Sequence, residues 1–290
     1  MILAPELDIA HLRQWIGAEE VAQDVVTAAL AERFAATIGL LIDRPEEEGA
    51  TPRMLHLCLC QAAVSTDALG ADGHPVPGDF LPPVPLPRRM AAGSDMRFNG
   101  HLKLGDTVHR RSRIENVEQK AGRSGPLCFV TIGHSFSVEG TVVVTDRQMI
   151  VYRGDATIQN TERDQQACEH TVRTGETTLE VAMSPPLLFR FSALTFNAHR
   201  IHYDRRYAVD VEGYPGLVVH GPLQATFLLY FAAQQRGGAL PDRYSFRSTA
   251  PAFDSGPIRL NATASGDREM DLWTTSAAGR VAMRARAAWE

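Results

Sequence analysis

The run Leu223–Gln234, LQATFLLYFAAQ, contains no charged side chain. It follows His220-Gly221-Pro222, and proline suits the first helical position, where no N–H is required. The stretch reads as a helix that is apolar on too many sides to lie on a surface. Such a helix needs a sheet to wrap it. The residues after it supply strands: Tyr244–Ala252, Pro257–Ala264, Glu269–Thr275 and Val281–Trp289. In the last, Val281, Met283, Ala285, Ala287 and Trp289 face one way and Arg284 and Arg286 the other, the pattern of a half-buried strand.

The first half follows the same order. Val26, Leu30, Phe34 and Ile38 recur at helical steps near Val25–Thr37, and Met54–Ala63 is a second apolar stretch, expected as a buried helix. Gly70–Pro87 holds six prolines and reads as a loop. Strand-like material follows: Met96–Gly105, leading into Asp106–Val117, then Leu127–Val138 and Thr141–Tyr152. Gly154–Thr178 is polar and charged, a linker by composition. The expected architecture is α+β, with a first domain over 1–154, a linker over 155–178 and a second domain over 179–290. Each domain is expected to be a long helix followed by a mostly antiparallel sheet.

Composition narrows the function classes. The 29 basic and 34 acidic side chains leave a net charge of −5, which argues against a broad nucleic-acid surface. No stretch approaches the ~20 apolar residues of a membrane span. Met1–Glu20 carries four acidic residues and no basic head before an apolar core, unlike a secretory signal. Cys58, Cys60, Cys128 and Cys168 form no CxxC pair and are expected as buried free thiols, which fits a reducing cytoplasm. No metal site is expected.

The densest polar signal is Phe196-Asn197-Ala198-His199-Arg200-Ile201-His202-Tyr203-Asp204. The second is Gly216-Leu217-Val218-Val219-His220-Gly221-Pro222, directly before the apolar helix. Unpaired N–H groups at a helix start, together with the dipole, favour a developing negative charge, which is what an oxyanion stabiliser needs. A base beside such a helix start suggests chemistry at or next to a carbonyl. His202 suits the base, since an unperturbed imidazole titrates at about 6.5. His199 competes with it, because in an extended segment Asn197 and His199 would share a face and His202 the other. Asn197 either caps a turn or holds a water, and Gly221 either caps the helix or donates to an oxyanion. Asp204 either orients an imidazole or pairs with Arg205 or Arg206. Arg88 and Arg89 are either a solvated pair or contacts to phosphates or a substrate carboxylate, for which the guanidinium fork is suited. Arg247, Arg284 and Arg286 are weaker candidates of the same kind.

Both motifs, in this order and separation, resemble those of the MaoC-like hydratases and dehydratases, hot-dog-fold enzymes of acyl thioesters. Their motif carries an Asp, then a His five residues later, then a Val/Ile-His-Gly helix start. The His position falls on His202, the glycine on Gly221 and the Asp position on Asn197. The change to Asn, with Phe80-Leu81-Pro82-Pro83-Val84-Pro85-Leu86-Pro87-Arg88-Arg89-Met90 and Gly122-Arg123-Ser124-Gly125-Pro126-Leu127, resembles the fused double hot-dog subgroup. That subgroup contains itaconyl-CoA and mesaconyl-C4-CoA hydratases and type 2 hydroxyacyl-thioester dehydratases. The resemblance implies two fused hot-dog domains forming an internal pseudo-dimer, with the first non-catalytic and shaping the acyl site. It implies a hydro-lyase adding water reversibly to an enoyl-CoA, with itaconyl-CoA and mesaconyl-C4-CoA the nearest substrates. His202 would be the general base and acid, Asn197 would position the water and the Gly221 N–H would hold the enolate oxygen. Arg88, Arg89, Val219 and His220 would bind substrate. No cofactor is implied beyond the coenzyme A of the substrate, and the assembly open to such a chain includes a homodimer. A hot-dog thioesterase and a dehydratase of linear 3-hydroxyacyl thioesters are the rival readings.

Overall fold

The computed structural model describes residues 7–39, 49–122, 125–154 and 174–290. Ten strands make one sheet in which every neighbouring pair is antiparallel. The first five are β1 (Glu19–Val25), β2 (Arg88–Phe98), β3 (Thr107–Gly122), β4 (Gly125–Val138) and β5 (Thr141–Arg153). The second five are β6 (Thr177–Val181), β7 (Arg243–Ser248), β8 (Ile258–Gly266), β9 (Glu269–Thr275) and β10 (Val281–Ala288). The sheet order is β1-β3-β4-β5-β2-β7-β10-β9-β8-β6. From each edge inward the two halves therefore run in the same sequence of strands, which is the internal repeat expected of two fused hot-dog modules. Part of the expected linker, 155–173, lies outside the described residues, and its end, Thr177-Thr178, already pairs with Ala262 and Asn261.

The halves join where β2 meets β7, from Gly93 opposite Arg247 to Arg97 opposite Arg243. At that seam β2 shifts register against β5 between Ala91 and Gly93. A Cβ on Gly93 would fall 2.4 Å from the Phe246 carbonyl oxygen, so only glycine fits this crossing.

Among the described residues four α-helices accompany the sheet: α1 (Ile9–Leu12), α2 (Ala28–Ile38), α3 (Pro185–Leu194) and α4 (Gly221–Gln234). Thr27 caps α2 by accepting from the Leu30 N–H at 3.2 Å, and Ser184 caps α3 by accepting from the Leu187 N–H at 3.4 Å. These two helices occupy corresponding places in the halves and pack on each other.

Helix α4 is the wrapped element. Every residue from Leu223 to Ala233 is buried, and the helix lies against β2, β7, β8, β9 and β10. Its polar atoms find partners inside the core: Thr226 donates to the Pro222 carbonyl at 2.8 Å and the Gln224 amide oxygen accepts from Thr274 at 2.8 Å. Tyr244 donates to the Ala225 carbonyl at 2.7 Å.

The first half differs at its centre. Met54–Ala63, expected as a buried helix, forms a single 3-10 turn over Leu55–Cys58. Met54 (φ 71°) and Cys60 (φ 57°) both sit in the left-handed region on either side of it. The Cys60 N–H donates to Asp24 at 3.0 Å rather than into a helix. The run between Pro52 and Gln61 is shorter than the 12–15 residues at which a helix sustains itself, and tertiary contacts set its shape. Cys58, Cys60 and Cys128 are buried free thiols, and Cys168 lies outside the described residues. Among the described residues no helix is long and apolar enough to cross a membrane.

Candidate active site

Helix α3 ends at Leu194, and the chain turns through Phe196, which adopts a φ of 49°. This left-handed residue closes the helix C-terminus, and the Asn197 N–H then donates to the Ser192 carbonyl at 2.8 Å. The Asn197 side-chain oxygen accepts from the His199 N–H at 3.0 Å, an Asx turn. A 3-10 turn over Arg200–His202 follows and buries both Ile201 and His202. The segment is therefore not extended, and the alternation that would part Asn197 and His202 does not arise.

The chain returns to the same place from the other side. The Val218 N–H donates to the Ile201 carbonyl at 3.0 Å, and Val219, also buried, donates to the Ala252 carbonyl at 2.8 Å. His202 Nδ1 lies 2.7 Å from the Val218 carbonyl oxygen. A carbonyl only accepts, so Nδ1 carries the proton and Nε2 keeps its lone pair. The His202 ring stacks on His220 with centroids 3.7 Å apart and planes 18° apart. His220 caps α4 at Gly221, so the imidazole and the helix start, 19 positions apart in the chain, share one site. His220 Nε2 meets Ser192 Oγ at 2.8 Å, and its Nδ1 is buried without a hydrogen-bond partner.

The first half reaches into this site. A turn closes from the Gly70 N–H to the His74 carbonyl at 2.7 Å. Within it, Asp72 accepts from the His74 N–H at 3.0 Å and from its ring Nδ1 at 2.8 Å. The turn docks on the motif segment: the Arg200 N–H donates to the Asp72 carbonyl at 2.9 Å and Arg200 Nη1 to the Ala71 carbonyl at 3.0 Å. Gly73 (φ 89°) lies where a Cβ would collide with the Ala198 carbonyl oxygen. His74 then packs against His199, centroids 4.0 Å apart, and His199 stands edge-on to His202 at 5.4 Å. The result is a column of four imidazoles running from Asp72 to Ser192.

Burial sets the charge state of the column. It pushes the His202 pKa down to about 4, with His74 adding to the fall and the Val218 bond partly offsetting it. Burial likewise lowers His74, His199 and His220, and neighbouring imidazoles lower the last two further. Asp72 is raised by burial, but the His74 bond and the charges of His74 and His199 outweigh that and hold it at about 2. At neutral pH the site thus offers neutral imidazoles and one carboxylate. The Asp72, His74 and His199 ligand atoms lie within 4.8 Å of one another, a span that one divalent ion fits, although the Asp72–His74 bond already satisfies two of them.

The arginines separate. Arg88 is buried and bound to Glu212, Nε 3.2 Å from the carboxylate and Nη2 donating to the Glu212 carbonyl at 3.1 Å. The solvated reading of Arg88 is thereby excluded, and Glu212 is its acid. Arg89 is half-buried and sits directly across from Tyr152 in the β2–β5 ladder. Its charge bears on His74, His199 and Tyr152 together. Among the described residues Arg89 has no carboxylate partner, and the group beside its guanidinium is the buried Tyr152 hydroxyl. Arg247 and Arg286 are engaged on the surface by Asp95 and Glu269. Asp204 binds Arg200 at 2.8 Å and accepts from the Tyr207 N–H at 3.1 Å, so it neither orients an imidazole nor pairs with Arg205, which is held by Asp254.

Asp72, His74 and Glu212 had not been singled out from the sequence. The only local trace of the dyad is Asp72-Gly73-His74 inside a stretch read as loop.

Residues 54–254 match the family described as hydroxyacyl-thioester dehydratase type 2. The chain is 42% identical over 273 residues to the mesaconyl-C(4)-CoA hydratase of Chloroflexus aurantiacus, covering 93% of this chain and 95% of that one. Among solved structures, a MaoC-like dehydratase superposes with a TM-score of 0.71 at 14% identity, covering 96% of this chain and all of that one. A Mycobacterium tuberculosis protein with a double hotdog fold superposes with a TM-score of 0.57 at 13% identity, covering 94% and 95%. The two structural likenesses bear on the fold alone, which they share with this chain.

Proposed function

Because the chain belongs to the type 2 hydroxyacyl-thioester dehydratases, within the MaoC-like hydratases and dehydratases, we propose that its substrate is a short, branched enoyl-CoA bearing a second carboxylate, itaconyl-CoA or mesaconyl-C4-CoA. The protein is a hydro-lyase of CoA thioesters, adding water reversibly to the double bond. The observation that carries the choice of acyl group is Arg89: a half-buried cation with no carboxylate of its own among the described residues, set beside the imidazole column. A half-buried guanidinium without an acid is open to one, and a substrate carboxylate meets its fork in bidentate fashion. The likeness to a mesaconyl-C(4)-CoA hydratase agrees with this.

In the proposed reaction His202 Nε2 takes a proton from water as the oxygen bonds to the β-carbon. The double-bond electrons move toward the thioester oxygen, which the Gly221 N–H stabilises at the start of α4. The imidazolium then returns its proton to the α-carbon. Asn197 takes part through its NH2 group, which the turn formed by its oxygen and the His199 N–H leaves unused; it donates to the water oxygen. Val219 and His220 wall the site beside Gly221. The thioester itself acidifies the α-position, so the scheme calls on no cofactor beyond the substrate's coenzyme A. The first domain, 1–154, contributes the acyl-binding wall through Arg89 rather than a second Asn/His centre.

The test is a panel of mesaconyl-C4-CoA, itaconyl-CoA and crotonyl-CoA, read by mass spectrometry for a gain of 18 mass units, roughly one water, with Arg89→Met beside the unaltered chain. The dicarboxylyl esters should be hydrated with the higher kcat/KM. Arg89→Met should lower that value for them by at least about 30-fold (about 2 kcal/mol, the lower range for a truncated buried charge pair) and for crotonyl-CoA by less than about threefold. Equal losses on all three esters would remove the carboxylate role, and release of free thiol would assign a thioesterase.

A further inference from the structure

Water in the reaction just described needs two hydrogen-bond acceptors to be held in one orientation. His202 Nε2 is one. The motif's second acceptor would be the carboxylate at position 197, but the residue there is Asn197, and its oxygen is already occupied by the His199 N–H at 3.0 Å. Its NH2 group can only donate. At position 197 the second half alone therefore offers the water only the remaining lone pair of a neutral amide oxygen that a turn already holds, a weaker acceptor than a carboxylate.

The first half carries one. Asp72 accepts from His74 Nδ1 at 2.8 Å, which fixes the proton on Nδ1 and leaves Nε2 as a lone pair. The carboxylate behind the ring strengthens that lone pair as an acceptor. Among the described residues no hydrogen bond fixes the His199 tautomer, and His220 Nε2 meets Ser192 Oγ at 2.8 Å. The dyad is also placed with care. Two bonds from Arg200 hold the Gly70–His74 turn to the motif segment, and Gly73 closes on the Ala198 carbonyl so tightly that no Cβ fits. A turn serving only to cover the surface needs none of this.

We propose that His74, oriented by Asp72, is a catalytic residue of the first half that accepts the second hydrogen of the reacting water and so replaces the missing motif carboxylate. The inference rests on the hydratase reading above. One O–H bond of the water breaks, its proton going to His202 and from there to the α-carbon, while the oxygen bonds to the β-carbon. The other O–H stays intact throughout and points at His74 Nε2. Asn197 donates to the water oxygen. The water then makes three hydrogen bonds, and a lone pair is left facing the β-carbon. The active centre is a product of both halves, and the module without an Asn/His motif is a partner in the chemistry.

The experiment compares four full-length proteins on crotonyl-CoA and mesaconyl-C4-CoA: the unaltered chain, His74→Gln, Asp72→Asn, and His74→Gln combined with Asn197→Asp. His74→Gln should lower kcat by about 10²-fold, the effect of misplacing a reactant by about an ångström, with KM within about threefold. Asp72→Asn, which frees the tautomer, should lower kcat by about tenfold and provides the readout if His74→Gln fails to fold. Asn197→Asp should restore at least about tenfold of the loss in the His74→Gln chain, because a carboxylate there has a second oxygen to offer the water. A purely structural histidine would not be rescued in this way. Full activity in His74→Gln and Asp72→Asn, or a loss that Asn197→Asp leaves untouched, overturns the inference while the hydratase reading stands. An unaltered chain that hydrates neither ester overturns both.

Discussion

At the scale of single residues the decisive fact is which nitrogen of each imidazole carries the proton. For His202 the answer comes from a carbonyl 2.7 Å away, and it leaves Nε2 with the lone pair that the proposed base requires. His202→Ala should therefore lower kcat by at least about 10²-fold, the low end for a lost acid–base group, as measured in steady-state hydration of crotonyl-CoA. A change under twofold would return the histidine to a structural role. Asn197 shows why a motif read in one dimension is incomplete. Its oxygen caps a turn, one of the two readings the sequence left open, and that turn leaves its nitrogen unused for the proposed bond to water. Arg88 and Arg89 are adjacent in the chain and alike in the sequence, yet one is bound by Glu212 and the other has no acid among the described residues. That difference depends on a residue more than a hundred positions away, and no local pattern records it.

Among the elements, α4 was legible because an uncharged stretch of that length has only one stable surrounding. Its burial against five strands is costly to disturb. Leu228→Ala, at a fully buried position, should destabilise the protein by about 2–5 kcal/mol in urea unfolding, with the spread set by how far the cavity collapses. β3, β4 and β5 in the first half and β7 to β10 in the second were legible from alternation, with ends moving by a few residues, whereas the edge strands β1 and β6 were not read as strands at all. β2 is a further exception: it begins at Arg88, eight residues before the expected start at Met96, because the proline-rich loop before it hid the transition. The 3-10 turn at Leu55–Cys58 was not legible, since an apolar run too short for a stable helix takes whatever shape its contacts dictate. The docking of the Gly70–His74 turn was equally silent, because its hydrogen bonds join residues 129 positions apart. The seam between β2 and β7 gives a prediction of its own. Gly93→Ala would push a methyl group into the Phe246 carbonyl and the Arg247 side chain. A loss of about 1–3 kcal/mol is expected in the same urea titration, the range for forcing an extra methyl group into a packed site.

For the whole molecule, pH links the site to stability. A histidine whose pKa is lowered on folding is held neutral in the native state while the unfolded chain takes up protons. Its contribution is full above the unfolded value of about 6.5 and is lost as pH falls toward the folded value. For His202, whose folded pKa is pushed down to about 4, this amounts to about 3 kcal/mol between those limits. The other three imidazoles and Asp72 shift in directions with the same sign, the carboxylate losing its share as pH drops toward about 2. Thermal midpoints should therefore be steady near pH 7–8 and fall steeply below about pH 6, and His202→Gln should flatten that fall. An unaltered slope in the variant would show that the ring is not held neutral.

The joining of β2 to β7 within one chain has a further effect. In a symmetric pair of separate subunits, every substitution is written twice, on both sides of the axis at once. Here each position occurs once, so the two modules were free to part ways without unbalancing each other. One kept a sealed apolar rod at its middle. The other has a single 3-10 turn at its apolar run Leu55–Cys58 and lends a polar turn to its neighbour, and dilution cannot undo the loan.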